Sequence, residues 1–186
     1  MRDNGKARYG RFDKFLHWWM AANVVATLVG SYGMSSLPEE AKAVEYGNHG
    51  LSVTTILIVL AVRVAWRLKE GFPSLPKAMP RIQALLAKAV HYGLYLILCA
   101  QVSVGVMLAS TTQTEFIAAG YGINFTSLDL VDDRWHDRLL GFHIGLYWTI
   151  VAVVALHTAA ALKHHFIDRD NVLRRMLPFA MLKPER

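Results

Sequence analysis

The sequence predicts an all-α fold, an integral membrane four-helix bundle running up-down-up-down. Three observations carry this expectation. Hydrophobic residues make up 54% of the chain and charged ones only 18%, against about 25% charged in an ordinary soluble domain. The apolar residues fall into four blocks, each close to the roughly 20 residues that a helix needs to cross a bilayer core. Lysine and arginine alternate between the two sides of those blocks, as the positive-inside pattern requires. Backbone in lipid must satisfy its own hydrogen bonds, so each block is a helix. Short connections make neighbouring helices antiparallel. The 186 residues are read as one domain, 1–186.

The first span is expected at about 15–34, preceded by Arg2, Lys6, Arg8, Arg11 and Lys14. It follows a basic segment as a signal peptide would. However, His17-Trp18-Trp19 is foreign to a signal core and no convincing small-x-small cleavage site follows, so it is read as a retained span. A connection over 35–48, with Glu39, Glu40 and Glu45, leads to the second span at about 49–68. Pro73, Pro76 and Pro80 then stop that helix and space out the third, at about 90–110. The longest connection, 111–138, mixes apolar residues with Glu115, Asp129, Asp132 and Asp133. Part of it is expected to form a short interfacial helix over the mouth of the bundle. The fourth span covers about 139–162. The basic tail after it is expected to be a helix lying on the membrane.

Of the twenty basic residues, seventeen fall on one side of this topology and three, Lys42, Arg134 and Arg138, on the other. Both termini are therefore expected in the cytoplasm. The net charge of +6 reports topology and contact with anionic lipid headgroups, not nucleic acid.

Each span carries a histidine, and ionisable groups at membrane depth usually face the protein interior. His143 and His157 share the fourth span. Fourteen residues at about 100° each fall about 40° short of four full turns, so both rings leave one helix face about 21 Å apart. His17 opens the first span at the inner side, and His49 opens the second at the outer side. Depth therefore pairs His17 with His157 and His49 with His143. Two facing imidazoles can serve as axial ligands to a haem iron and leave no open position for oxygen. The same set would also serve a proton relay, a metal transporter or plain interhelical hydrogen bonding. The depth match favours two haems.

Arg63 and Arg67 lie fourteen and eighteen residues after His49, on the same face at inner depth. They are candidates for haem propionates, although Arg67 would also reach the headgroups by snorkelling. His91 opens the third span at inner depth and is a candidate for a propionate or a quinone oxygen. Gly50, Gly141 and Gly145 would admit either a flat macrocycle or a neighbouring helix. The single cysteine, Cys99, forms no disulfide within the chain. No Cys-x-x-Cys-His occurs, which excludes covalent haem attachment of the c type. No nucleotide loop or nucleophile–base set is present, so no catalytic residue is assigned.

These residues resemble the bacterial cytochromes b561 over nearly the whole chain. Arg8-Tyr9-Gly10 with His17-Trp18 resembles that family's entry into the first span. Arg63-Val64-Ala65-Trp66-Arg67 resembles its exit from the second, and His91 with Tyr95-Leu96 the start of its third. His143 and His157 match the ligand spacing of its fourth span. Ala161 to Phe166, with Asp170 and Leu173-Arg174-Arg175-Met176, is similar to its exit and tail. The resemblance implies two noncovalent haems b held by His17, His49, His143 and His157, residence in the inner membrane, and electron exchange between an outer donor and ubiquinone. Superoxide is a donor within that family, so the chain is also a candidate superoxide/quinone oxidoreductase. The acidic outer connection is not an anion funnel, which keeps a periplasmic redox or lipid-binding protein beside superoxide as partner. An anchor subunit of a larger dehydrogenase or hydrogenase is the alternative role.

Overall fold

The computed structural model describes residues 5–6, 8–74 and 79–182. Arg2, Pro76, Lys77, Lys183 and Arg186, which entered the charge and connection readings, lie outside them. Four helices make up the described fold: α1 (Arg11–Gly30), α2 (Glu39–Glu70), α3 (Arg81–Ala109) and α4 (His136–Phe166). A two-stranded antiparallel hairpin, β1 (Ile117–Ala118) and β2 (Ile123–Asn124), sits between α3 and α4.

Local chemistry sets the helix ends. The N–H of Gly10 donates to Asp13 Oδ2 at 3.0 Å at the start of α1. Pro38 and Pro80 precede α2 and α3, positions where a missing N–H costs nothing. Gly71 follows α2 at φ 73° and donates its N–H to the Arg67 carbonyl at 3.0 Å, a backbone geometry that favours glycine.

Helices α2, α3 and α4 are each long and apolar enough to cross a membrane. The 20 residues of α1 span about 30 Å, the thickness of a hydrocarbon core. Helix outer faces carry large apolar side chains such as Leu57, Leu85, Leu96, Phe142 and Leu156, all exposed. In lipid that is the expected outward face.

Packing is by pairs. α1 lies along α2 and α3 along α4, while α2 meets α3 over a shorter stretch. The two pairs close on one apolar cluster of Met20, Val24, Ile56, Leu60, Leu98 and Ile150, drawn from all four helices. Ile150 is seven residues from both His143 and His157, so this cluster lies midway between their depths.

Two connections, the tail and the start of α3 differ from expectation; α3 begins at Arg81, nine residues before the expected third span. α2 begins at Glu39, ten residues before the expected span. Its 32 residues reach about 48 Å, so its first turns stand outside the hydrocarbon, and the strong helix formers Glu40, Ala41, Lys42, Ala43 and Glu45 continue the helix there. α1 ends at Gly30 rather than near Met34, and a left-handed Gly33 (φ 75°) turns the chain.

The outer connection forms the hairpin and 3-10 turns, not an interfacial helix. Gly120 and Gly122 adopt positive φ, and the β-branched Ile117 and Ile123 occupy the strands. The hairpin docks on α2 where that helix is bare. A Cβ at Gly50 would lie 2.8 Å from Ala118 Cα, and the Ala119 N–H donates to the Gly47 carbonyl at 3.0 Å. Gly50 thus admits the hairpin rather than a macrocycle or a helix.

The tail is not a helix. After Phe166 it turns through Arg169 at φ 55° and folds back over the inner ends of the helices. Lys14 Nζ donates to the Leu177 carbonyl at 2.6 Å and Trp18 Nε1 to the Met176 carbonyl at 3.1 Å. Arg175 donates to the Ser74 carbonyl. Lys163 donates to both Asp168 oxygens at 2.8 and 2.7 Å. That hydrogen bond holds the Asp168 carboxyl below its ordinary value.

The inner end is fixed by a buried ion pair. Arg67 on α2 pairs with Asp13 on α1, donates to the Gly71 carbonyl at 2.8 Å, and stacks over Tyr9 and Phe72. Arg67 is only 7% exposed, so it turns inward instead of snorkelling to the headgroups. Burial pushes the Tyr9 phenol up from its ordinary value, with the Arg67 charge pulling it back. Removing one partner of a buried pair typically costs about 3–5 kcal/mol. Asp13→Ala is therefore expected to lower the thermal unfolding midpoint of the detergent-solubilised protein sharply, and Asp13→Ala/Arg67→Met to recover part of the loss. A double variant no better than Asp13→Ala would contradict the pairing.

Candidate functional site

The gap between the α1/α2 pair and the α3/α4 pair is lined by histidines at two depths. Toward the outer end, His49 of α2 faces His143 of α4 with ring centroids 6.3 Å apart. Toward the inner end, His17 of α1 faces His157 of α4 at the same 6.3 Å. The structure thus brings together both pairs that helix arithmetic selects. Helical phase places His143 and His157 on one face of α4, about 21 Å apart.

The separation is informative. Each ring carries its nitrogens about 1 Å from its centroid, so nitrogens turned toward one another come no closer than about 4 Å, beyond the reach of a hydrogen bond. A metal–imidazole bond of about 2 Å on each side fills that interval. Each pair can therefore hold one metal ion between two neutral imidazoles, as a bis-histidine haem requires.

At the outer pair, a cavity of about 220 Å³ opens beside the rings. Its walls are mainly apolar, from Val24, Leu28, Ile56, Leu98 and Val102 among others. Lys42, Ser31, Tyr46, Thr112 and His136 supply polar groups along it. His136 lines this cavity as well and bonds through Nδ1 to Thr111 Oγ1 at 2.9 Å. Phe116, from the hairpin, meets the His49 ring edge-on at 6.2 Å and stacks on Tyr46 at 5.1 Å. Gln101 Nε2 donates to His143 Nε2 at 3.1 Å. Among the described residues His143 Nδ1 has no partner. Gly105 gives the ring its room, since a Cβ there would lie 2.9 Å from His143 Cε1.

At the inner pair, a third imidazole approaches. His91 of α3 lies 5.4 Å from the His157 ring and donates from Nδ1 to the Ala87 carbonyl at 2.6 Å. Arg63 is 8% exposed and donates from Nε to Tyr95 Oη at 3.0 Å. Its Nη1 is buried without a hydrogen-bond partner among the described residues. An orphaned guanidinium nitrogen at this depth is expensive, and it suits an acidic group entering the gap. Arg67, by contrast, is engaged by Asp13 and the Gly71 carbonyl.

Sequence reasoning missed Gln101 and Gly105. Their signals were present: Gln101 is a lone amide inside an apolar span, and Gly105 lies four residues beyond it on the same face. Gly141 and Gly145, singled out for a macrocycle, stand in open space, where a Cβ would meet nothing within 4 Å.

The geometry predicts a sharp contrast between two glycines of α3. Gly105→Ala is expected to displace the His143 ring and to destabilise by about 1–3 kcal/mol, as overpacking does. Gly93→Ala, where a Cβ meets nothing within 4 Å, is expected to be neutral or to stabilise by the helical glycine-to-alanine gain of about 0.5–1 kcal/mol. Thermal unfolding of both variants reads the difference, and equal effects would contradict the close contact.

Comparison with known proteins agrees with this architecture. Residues 8–179 match the family model described as prokaryotic cytochrome b561. The chain is 31% identical over 185 residues to cytochrome b561 homolog 2 of Escherichia coli K12, covering 94% of this chain and 93% of that protein. It is 30% identical over 124 residues to the probable superoxide oxidase CybB of Yersinia pestis, covering 66% and 69%. Cytochrome b561 homolog 1 of Escherichia coli K12 is 24% identical over 178 residues, covering 92% and 97%.

Proposed function

The chain belongs to the prokaryotic cytochrome b561 family, a multi-pass membrane cytochrome whose membership implies haem b, and from that premise we propose that it is a diheme electron carrier of the inner membrane. It passes electrons between a periplasmic donor and ubiquinone. The observation that carries this reading is the pair of facing imidazoles at each of two depths, with the same 6.3 Å separation. His49 and His143 would hold the outer haem, and His17 and His157 the inner one. Held there, haem b would supply one-electron transfer.

The chain's own residues have definite tasks in this scheme. Arg63 offers its orphaned nitrogen to an acidic group at the inner site, and Tyr95 fixes the guanidinium. Lys42, half-buried, lines the outer cavity and is the counterpart cation there. Arg67 acts through Asp13 to hold α1 and α2 together, so its part in holding a propionate is secondary to Arg63's. His91 stands beside the inner pair, where it would meet a propionate or a quinone oxygen. The apolar cluster around Ile150 and Leu60 keeps water from the space between the two sites.

The cationic excess on one side supports an orientation with both termini in the cytoplasm and the hairpin in the periplasm. On and beside the hairpin, Glu115, Asp129, Asp132 and Asp133 are exposed. Arg134 lies 3.8 Å from Asp132, and Arg138 stacks on Trp135. An acidic mouth whose two arginines are so engaged repels an anion and attracts a cationic protein face. A periplasmic redox protein is therefore the preferred donor over superoxide.

Haem stoichiometry tests the ligands. Pyridine haemochrome assay of the purified protein is expected to give two haems b per chain. His143→Ala or His157→Ala should each lose one and keep the other in part, and His91→Ala should keep both. Retention of two haems by both ligand variants would sink the assignment. The donor reading has its own check. Asp132→Lys/Asp133→Lys is expected to slow reduction by a basic redox protein severalfold at low salt and to speed reduction by superoxide. Unchanged rates with both donors would remove the electrostatic argument.

A further inference from the structure

The approach to α1 carries positive charge that electron transfer does not use. Arg8, Tyr9, Gly10, Arg11, Lys14 and Pro178 line a cavity of about 310 Å³ at the inner end of the bundle. Three of these residues are cations and none is acidic. The nearest carboxylate in sequence, Asp13, is engaged by Arg67 and the Gly10 N–H. Exposed arginines are ordinarily solvated, and water alone accounts for Arg8 and Arg11. It does not account for Lys14, which is 8% exposed. The folded-back tail covers Lys14, whose ammonium donates to the Leu177 carbonyl at 2.6 Å. That contact uses one of three N–H groups. Among the described residues no carboxylate pairs with Lys14, Arg8 or Arg11. A covered ammonium beside two guanidinium groups calls for an anion.

A second, independent feature says what kind of anion. Arg11, Phe15 and Trp19 follow one another at four-residue spacing and form a stripe along one face of α1. Phe15 and Trp19 are 59% and 48% exposed, and their rings stack at 6.0 Å. The stripe therefore carries a cation at the headgroup level and aromatic rings at the depth where acyl chains begin. A soluble phosphate would use the cations and leave the rings idle. A lipid uses both.

We propose that this cavity is a binding site for the phosphate of an anionic phospholipid, with Arg8, Arg11 and Lys14 as its cations and the Phe15–Trp19 stripe as the seat of its acyl chain. The site ties α1 and the tail to the inner leaflet at the point where the tail closes over the helix ends.

The test uses the haem-loaded full chain, delipidated in a neutral detergent and titrated by native mass spectrometry. The probes are dioleoylphosphatidylglycerol and dioleoylphosphatidylcholine. The wild type is expected to bind the anionic lipid at least tenfold more tightly. Arg8→Gln/Arg11→Gln should cut that preference about tenfold, since each cation at a membrane surface contributes measurably to anionic-lipid attraction. Arg8→Lys/Arg11→Lys should keep most of it. Arg81→Gln/Lys88→Gln, the same loss of charge at exposed positions on α3, should change it little. The proposal is overturned if the two glutamine pairs act alike, if the wild type shows no preference, or if millimolar inorganic phosphate displaces the lipid. The haem absorbance of each variant verifies that it is folded, and the single variants Arg8→Gln and Arg11→Gln replace the double if that one is not.

Discussion

An imidazole inside a bilayer must find a partner at its own depth, and this constraint orders the rest of the molecule. α4 places two such rings on one face about four turns apart. Water is not there to satisfy them, so the opposing helices must each bring a histidine to the matching level. α1 does so near its inner start and α2 near its outer start, which requires the two to run antiparallel. Both rings of the opposing set then sit on the α1/α2 pair and both rings of α4 on the α3/α4 pair. The division into two helix pairs with a gap between them follows from where the histidines lie. The apolar cluster around Ile150 closes the gap at the depth that neither histidine pair needs.

Much of this is legible in the sequence because it depends on two short-range rules, hydropathy in blocks of about 20 residues and the 3.6-residue turn. The four helices and the pairing of His17 with His157 and His49 with His143 follow from those rules alone. What escapes them depends on contacts between distant segments. Nothing near Gly50 reveals that Ala118 will press against it, because the two are brought together by a hairpin whose strands are two residues long. Asp13 reads locally as the acid of a helix first turn. Only the fold shows that it also meets Arg67, 54 residues away. The start of α2 escapes for another reason: hydropathy marks where a helix enters lipid, not where it begins.

The two ends of the bundle are built differently. At the inner end three arginines are buried: Arg67 pairs with Asp13, Arg63 bonds the Tyr95 hydroxyl and Arg175 bonds the Ser74 carbonyl. Such groups are costly to separate, and they hold the helix ends and the tail as one body. At the outer end the charges are exposed carboxylates on a loop, and the polar groups turn inward toward the cavity.

His91 poses the one real competition among the imidazoles, since its ring lies nearer to His157 than that of His17 does. Proximity is a poor criterion here. At 5.4 Å the His91 and His157 centroids stand closer than the 6.3 Å of both the His17–His157 and the His49–His143 pairs. His91 is also anchored through Nδ1 to the Ala87 carbonyl of its own helix, which fixes its ring where it is. The separation of His17 from His157 equals that of the outer pair. The equality of two independently formed distances is the better guide. In the proposed scheme it favours His17 over His91 as the partner of His157.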